Sequence, residues 1–225
     1  MTNTLTHTRW KAAVAAVGML GVLTAATAAV PPGSDKKDEI TFDLIANQNP
    51  KILECLRANS YEEPRARATV IRGKLNDTLI LDLDGIKPGL AFDLFTVQHS
   101  PFLSNGSADP TFVPDHFGLA WYQSDIQIGK RSDDGHVRIK TILLDQIFGF
   151  DSDVGLNPTN TFQVGFWFNN PEDAACNGGP LKVTPFNGEH HAGPFAMISA
   201  SDVKTHLGPL CSDPNFSTNP VSCNP

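Results

Sequence analysis

The sequence predicts an all-β protein, a single antiparallel β-sandwich or barrel of about eight strands with long loops, stapled by disulfides. Three observations predict it. Apolar residues recur with period two in short runs, and hardly anywhere with the 3.6-residue period of a helix. Turn residues separate those runs: Asn76-Asp77, Lys87-Pro88-Gly89, Asp133-Asp134-Gly135 and Asn177-Gly178-Gly179-Pro180. Finally, four cysteines follow an N-terminal segment with the features of an export signal, an even number suited to two disulfides.

That segment comes first. Arg9 and Lys11 precede the apolar run Ala12–Ala26, and Ala26-Thr27-Ala28 supplies a small-x-small cleavage signal. Residues 1–28 therefore read as a signal peptide and 29–225 as one secreted domain. The run falls short of the roughly 20 apolar residues of a spanning helix, although extension to Val30 leaves an uncleaved anchor as the alternative. Without Arg9 and Lys11, 15 basic residues stand against 24 acidic ones, a net charge of −9. This acidic balance disfavours nucleic acid and anionic lipid as partners, and no later segment predicts membrane insertion.

The strands follow in order. In residues 40–46, Ile40, Phe42, Leu44 and Ala46 alternate with polar or mixed neighbours. Residues 67–75 form the next candidate. Residues 78–84 are the cleanest, with Leu79, Leu81 and Leu83 on one face and Thr78, Ile80, Asp82 and Asp84 on the other. Further strands are expected at 90–98, 117–123, 137–144, 161–169 and 194–199. Single helical turns are expected at 144–148 and at 201–207, where Ser201 can cap and Gly208 can stop the turn.

Of the three ways to pair four cysteines, Cys211–Cys223 with Cys55–Cys176 is favoured. Cys211 and Cys223 enclose a Pro-, Asn- and Ser-rich loop with no apolar periodicity to hold it, and Cys55–Cys176 closes a long stretch of chain. No C-x-x-C spacing supports a cysteine metal site.

Within this frame Gly85–Phe95, "GIKPGLAFDLF", resembles a strand-turn-strand run of the Cu,Zn superoxide dismutase family and of related secreted sandwiches such as chordin-type domains. The resemblance implies a Greek-key sandwich. Where that family reads His-x-His in the second strand, this chain has Phe92-Asp93-Leu94-Phe95, so the copper ligands are absent and dismutase activity is not implied.

Three runs carry candidate sites. Glu189, His190 and His191 sit between Asn187-Gly188 and Gly193-Pro194, in a loop where adjacent imidazoles are free of the opposite-face constraint of a strand. With one further histidine from His99, His116, His136 or His206 they could hold a divalent metal; the other reading has both imidazoles bonding backbone carbonyls. Asp151-x-Asp153-x-Gly155 opens like a calcium loop but lacks its later ligands, and an Asx-turn accounts for it as well. Trp167 faces away from the Phe162, Val164, Phe166 and Phe168 row. Either it forms an outward platform with Tyr122 for a sugar or peptide, or both pack beneath the long stretch 99–116.

The chain has no G-x-S-x-G elbow, H-E-x-x-H pair or Gly-rich phosphate loop, so catalytic residues stay unassigned. The expected function is that of a secreted, extracellular or envelope-associated binding or structural module for a carbohydrate or protein ligand. The alternative is a metal-dependent extracellular enzyme built on Glu189, His190 and His191.

Overall fold

In the computed structural model the described residues are 39–59, 63–73, 76–130, 137–144, 159–179, 181–184 and 192–224. Eight strands join one antiparallel sheet: β1 (Glu39–Ala46), β2 (Arg65–Ile71), β3 (Asn76–Asp84), β4 (Ala91–Val97), β5 (Ala120–Gln127), β6 (Val137–Leu144), β7 (Gln163–Phe168) and β8 (Phe195–Ser199). Each matches one expected by periodicity, with ends moved by a few residues.

The sheet runs β5-β4-β7-β8-β1-β2-β3-β6, and its two end strands, β5 and β6, touch, so it nearly closes on itself. β4, β5 and β6 follow one another in space while β7 returns to lie beside β4, which is the Greek-key arrangement.

Register explains how alternation becomes a core. Ala66, Ala68 and Val70 of β2 stand opposite Leu83, Leu81 and Leu79 of β3, and all six are buried. Between them Arg65 and Arg67 point to solvent and pair with Asp84 and Asp43, the second pair at 2.7 Å. Across the interior these leucines share a cluster with Phe92, Leu94, Val164, Phe166 and Phe168 from the other half of the sheet. Phe92 meets Phe166 and Phe168 edge-on at 5.0 and 5.2 Å.

β7 is buried on both faces. Its second face carries Trp167, which is fully buried with Phe95, Val97, Phe117, Ala192 and Ile198 in a separate cluster. The indole stands edge-on to Phe95 at 5.5 Å and to Phe117 at 5.1 Å. Trp167 is therefore no part of an outward platform: it packs beneath the long β4–β5 connection, whose Phe117 stands against it. Burial of a large aromatic contributes about 2–3 kcal/mol, which the polar-looking neighbours Gln163 and Gly165 had concealed. Trp121 and Tyr122 remain exposed, opposite Thr96 and Phe95 of β4 respectively.

The Lys87-Pro88-Gly89 signal becomes a turn with Gly89 at φ 88°, a backbone shape that Gly adopts without strain. Gly85–Leu90 carries the chain from β3 in one half of the sheet to β4 in the other.

Two short helices were not expected. In α1 (Pro50–Leu56) Asn49 caps the start, its side chain accepting from Lys51 N–H, with Pro50 in the first turn. In α2 (Pro171–Ala174) Asn170 does the same for Glu172 N–H. Cys55 of α1 is bonded to Cys176, just beyond α2, with Cα atoms 5.8 Å apart. Cys211 is bonded to Cys223, also at 5.8 Å, bracing a small ribbon of β9 (Pro214–Asn215) and β10 (Ser222–Cys223). Both expected pairings are present.

The turn at 201–207 is not the expected helix. Ser201 bridges in parallel to Leu103, and the cap role falls to Asp202, whose Oδ1 accepts from the N–H groups of Lys204 and Thr205, each at 2.9 Å. The helical turn expected at 144–148 and the calcium-like run Asp151-x-Asp153-x-Gly155 lie outside the described residues, save for Leu144 at the end of β6. Among the described residues no helix is long and apolar enough to cross a membrane.

Candidate functional site: a histidine-lined pocket

The β4–β5 connection, residues 98–119, leaves and re-enters the sheet at one point. The N–H groups of Gln98 and His99 both donate to Phe117 O, at 3.1 and 3.0 Å, and Gln98 Oε1 accepts from Leu119 N–H. This pinch holds His99 and His116 at the base of the connection, where both line one pocket.

Beyond the pinch, the segment is stitched to the end of β8. Ser100 Oγ donates to Ser199 O at 2.6 Å, Ser104 N–H to Ser201 O, and Ser201 N–H to Phe102 O. The chain then turns at 202–207. His206 N–H donates to Asp202 O, and His206 itself adopts φ 56°, a left-handed backbone that a non-glycine residue pays strain to hold. His99, Asp109, Thr111, His116, Ser201 and His206 come together around a pocket of about 320 Å³.

At its heart is an Asp–His pair. Asp109 Oδ2 lies 3.0 Å from His206 Nδ1; Oδ1 accepts from both Thr111 N–H at 2.8 Å and Thr111 Oγ1 at 2.7 Å. The Asp109 side chain is 6% exposed and that of His206 44%. Burial alone would raise the carboxyl's pKa, but the Thr111 hydroxyl and N–H, together with His206, outweigh it and hold Asp109 below the ordinary carboxylate value. A buried, ionised carboxylate thus orients an imidazole that reaches the surface.

Asp202, next door, is also held below its ordinary value, chiefly by the Thr205 N–H. Its role is to shape the turn that presents His206.

The chemistry on offer is hydrogen bonding by imidazoles and hydroxyls beside the ring of Phe112. Among the described residues no three His, Cys, Asp or Glu side chains stand where they could share a metal ion.

Glu189, His190 and His191, expected as metal ligands, lie outside the described residues, as does His136. The flanks of their loop are described: Thr184 N–H donates to Ala192 O at 2.8 Å, and Ala192 packs in the cluster of Phe117. Lys182 Nζ pairs with Asp115 Oδ1 at 2.7 Å. Of the expected partner histidines, His99, His116 and His206 share the pocket.

Sequence reasoning passed over Asp109 and Thr111. Their Asp-x-Thr spacing reads as an ordinary Asx-turn, and nothing local reveals that the spare oxygen meets a histidine 97 residues on. Compared with known proteins, the chain matches no protein-family model, no curated protein and no solved structure.

Proposed function

We propose that the chain is an exported, disulfide-stapled β-sandwich that acts as a binding module, its ligand a small hydroxyl-bearing molecule such as a sugar residue held in the histidine-lined pocket. One observation carries this reading: a buried carboxylate and a left-handed backbone both serve to aim His206 at the rim of that pocket. Folds keep strain and buried charge where position matters. The size and polarity of the pocket suit one ring with several hydroxyls, and its volume falls at the small end of ligand sites, which begin at about 300 Å³. Two disulfides accord with an oxidising compartment outside the cytoplasm.

Titration of the labelled chain with a panel of neutral monosaccharides tests the reading. Amide shifts confined to residues 99–116 and 201–207, abolished in His206→Ala, are expected. Shifts scattered over the surface, or none with any sugar, would sink it.

A second reading keeps a metal-dependent enzyme, with Glu189, His190 and His191 as ligands and His116 as the fourth. It is favoured by the packing of Ala192, next after His191, against the cluster of Phe117, next after His116. About one zinc, copper or manganese ion per purified chain, lost in His116→Ala, is its expected sign.

A further inference from the structure

We infer that Asp109 fixes His206 in the Nδ1–H tautomer, so that the pocket presents the Nε2 lone pair of His206 as a hydrogen-bond acceptor and selects ligands that donate to it. The choice of a hydroxyl-bearing ligand rests on the function proposed above; the tautomer rests on the geometry alone.

Thr111 occupies Asp109 Oδ1 with two donors, its N–H and its hydroxyl. The remaining oxygen, Oδ2, faces His206 Nδ1 at 3.0 Å. An ionised carboxylate only accepts, so the proton between them belongs to Nδ1. A neutral imidazole carries one N–H, and Nε2 is then a lone pair. The free side chain in water prefers the opposite form, so the pair inverts a default.

The other titratable groups nearby are His99 and His116, which line the same pocket, and Asp202 and Lys204, which precede His206 on its own turn. Asp202 Oδ1 is committed to Lys204 N–H and to the N–H and hydroxyl of Thr205, which leaves Asp109 as the carboxylate that sets the ring.

Two consequences follow. The site accepts from a ligand hydroxyl or amide N–H, and a ligand that can only accept finds no partner at Nε2. Asp109 is thus a positioning residue that acts through His206.

The experiment is nitrogen-15 NMR of the imidazoles in the full chain, at a pH where they are neutral, with His206 assigned by substitution. The expected result is protonated Nδ1 and unprotonated Nε2, in at least about tenfold excess over the other tautomer. Asp109→Asn should reverse it: Thr111 needs an acceptor at Oδ1, which puts the amide Nδ2 opposite His206 Nδ1 as a donor and drives the proton to Nε2. Thr111→Val keeps the carboxylate and should leave the tautomer unchanged. Nε2–H in the wild type, or Nδ1–H persisting in an Asp109→Asn chain whose amide spectrum is otherwise native, overturns the inference. If Nδ1–H is found and no sugar binds, the ligand proposed above is wrong and the tautomer inference stands.

Discussion

Tyr122 donates its phenolic hydroxyl to Asp125 Oδ1, 2.8 Å away and three residues further along the same strand. The ladder puts Asp125 directly opposite Asp93, so the phenol joins a face with two carboxylates. Desolvation of the hydroxyl end, the bond to Asp125 and the charges of Asp125 and Asp93 together push the phenol up to about 12, although the ring is 51% exposed. A raised folded-state value means that its contribution to stability is intact below the ordinary value of 10.0 and is lost as pH rises through about 12. Phenolate absorbance of a Tyr61→Phe chain, in which Tyr122 is the remaining tyrosine, should show this late titration. A midpoint near 10, the ordinary value, would disprove the coupling.

Acid should act on Asp109 in the opposite sense. Its folded value lies below 3.8, so the stability it brings is complete above that value and disappears as pH falls through the depressed one. Asp109→Ala strips a mostly buried acceptor from Thr111 and His206 and should cost about 2 kcal/mol in urea unfolding at neutral pH. A cost under about 0.5 kcal/mol would mean that the loop does not depend on the pair.

The two disulfides should differ in weight. Cys55 and Cys176 are 121 residues apart, Cys211 and Cys223 only 12. On the chain-entropy model, loss of the first costs about 5 kcal/mol and loss of the second about 3. Paired serine substitutions compared by denaturant unfolding check the order, which a larger loss from Cys211→Ser/Cys223→Ser would invert.

Gly208 closes the turn that carries His206, and a Cβ there would come within 2.2 Å of Phe162 O. Gly208→Ala should therefore destabilise by about 1–3 kcal/mol and displace the turn. The expected NMR signature is amide shifts spreading from 208 to 206 and to Phe162; a native spectrum with unchanged melting would refute the crowding.

Export makes its own demand. If the N-terminal segment is a cleaved leader, intact mass of secreted material should begin at Ala29 or Val30. A mature mass that includes residues 1–28 would contradict it.

Strands were readable because each buries a face, and burial imprints a period of two: Leu79, Leu81 and Leu83 announce β3 unaided. α1 was missed although Asn49-Pro50 is a start signal, because seven residues span too few turns for a helical stripe to show. Trp167 was ambiguous because a strand covered on both faces loses its alternation. The pocket was the least legible feature. His99, Asp109 and His206 meet only after β4, β5 and β8 are in place, and no local pattern encodes a meeting of distant loops.

Gln163 reaches across to β8 from beneath the long connection: its Nε2 donates to Ser201 Oγ at 2.8 Å, and its Oε1 accepts from Ser199 Oγ at 2.6 Å, while Ser199 O holds Ser100 Oγ. All four side chains are buried, so releasing the connection from the sheet would strand polar groups away from water. The segment therefore opens with the sheet and not ahead of it, and the amides of Phe102, Ser104 and Ser201 should exchange with solvent as slowly as those of β8. The ligand proposed above would then meet a pocket whose walls are already in place, and would associate without waiting for a loop to close.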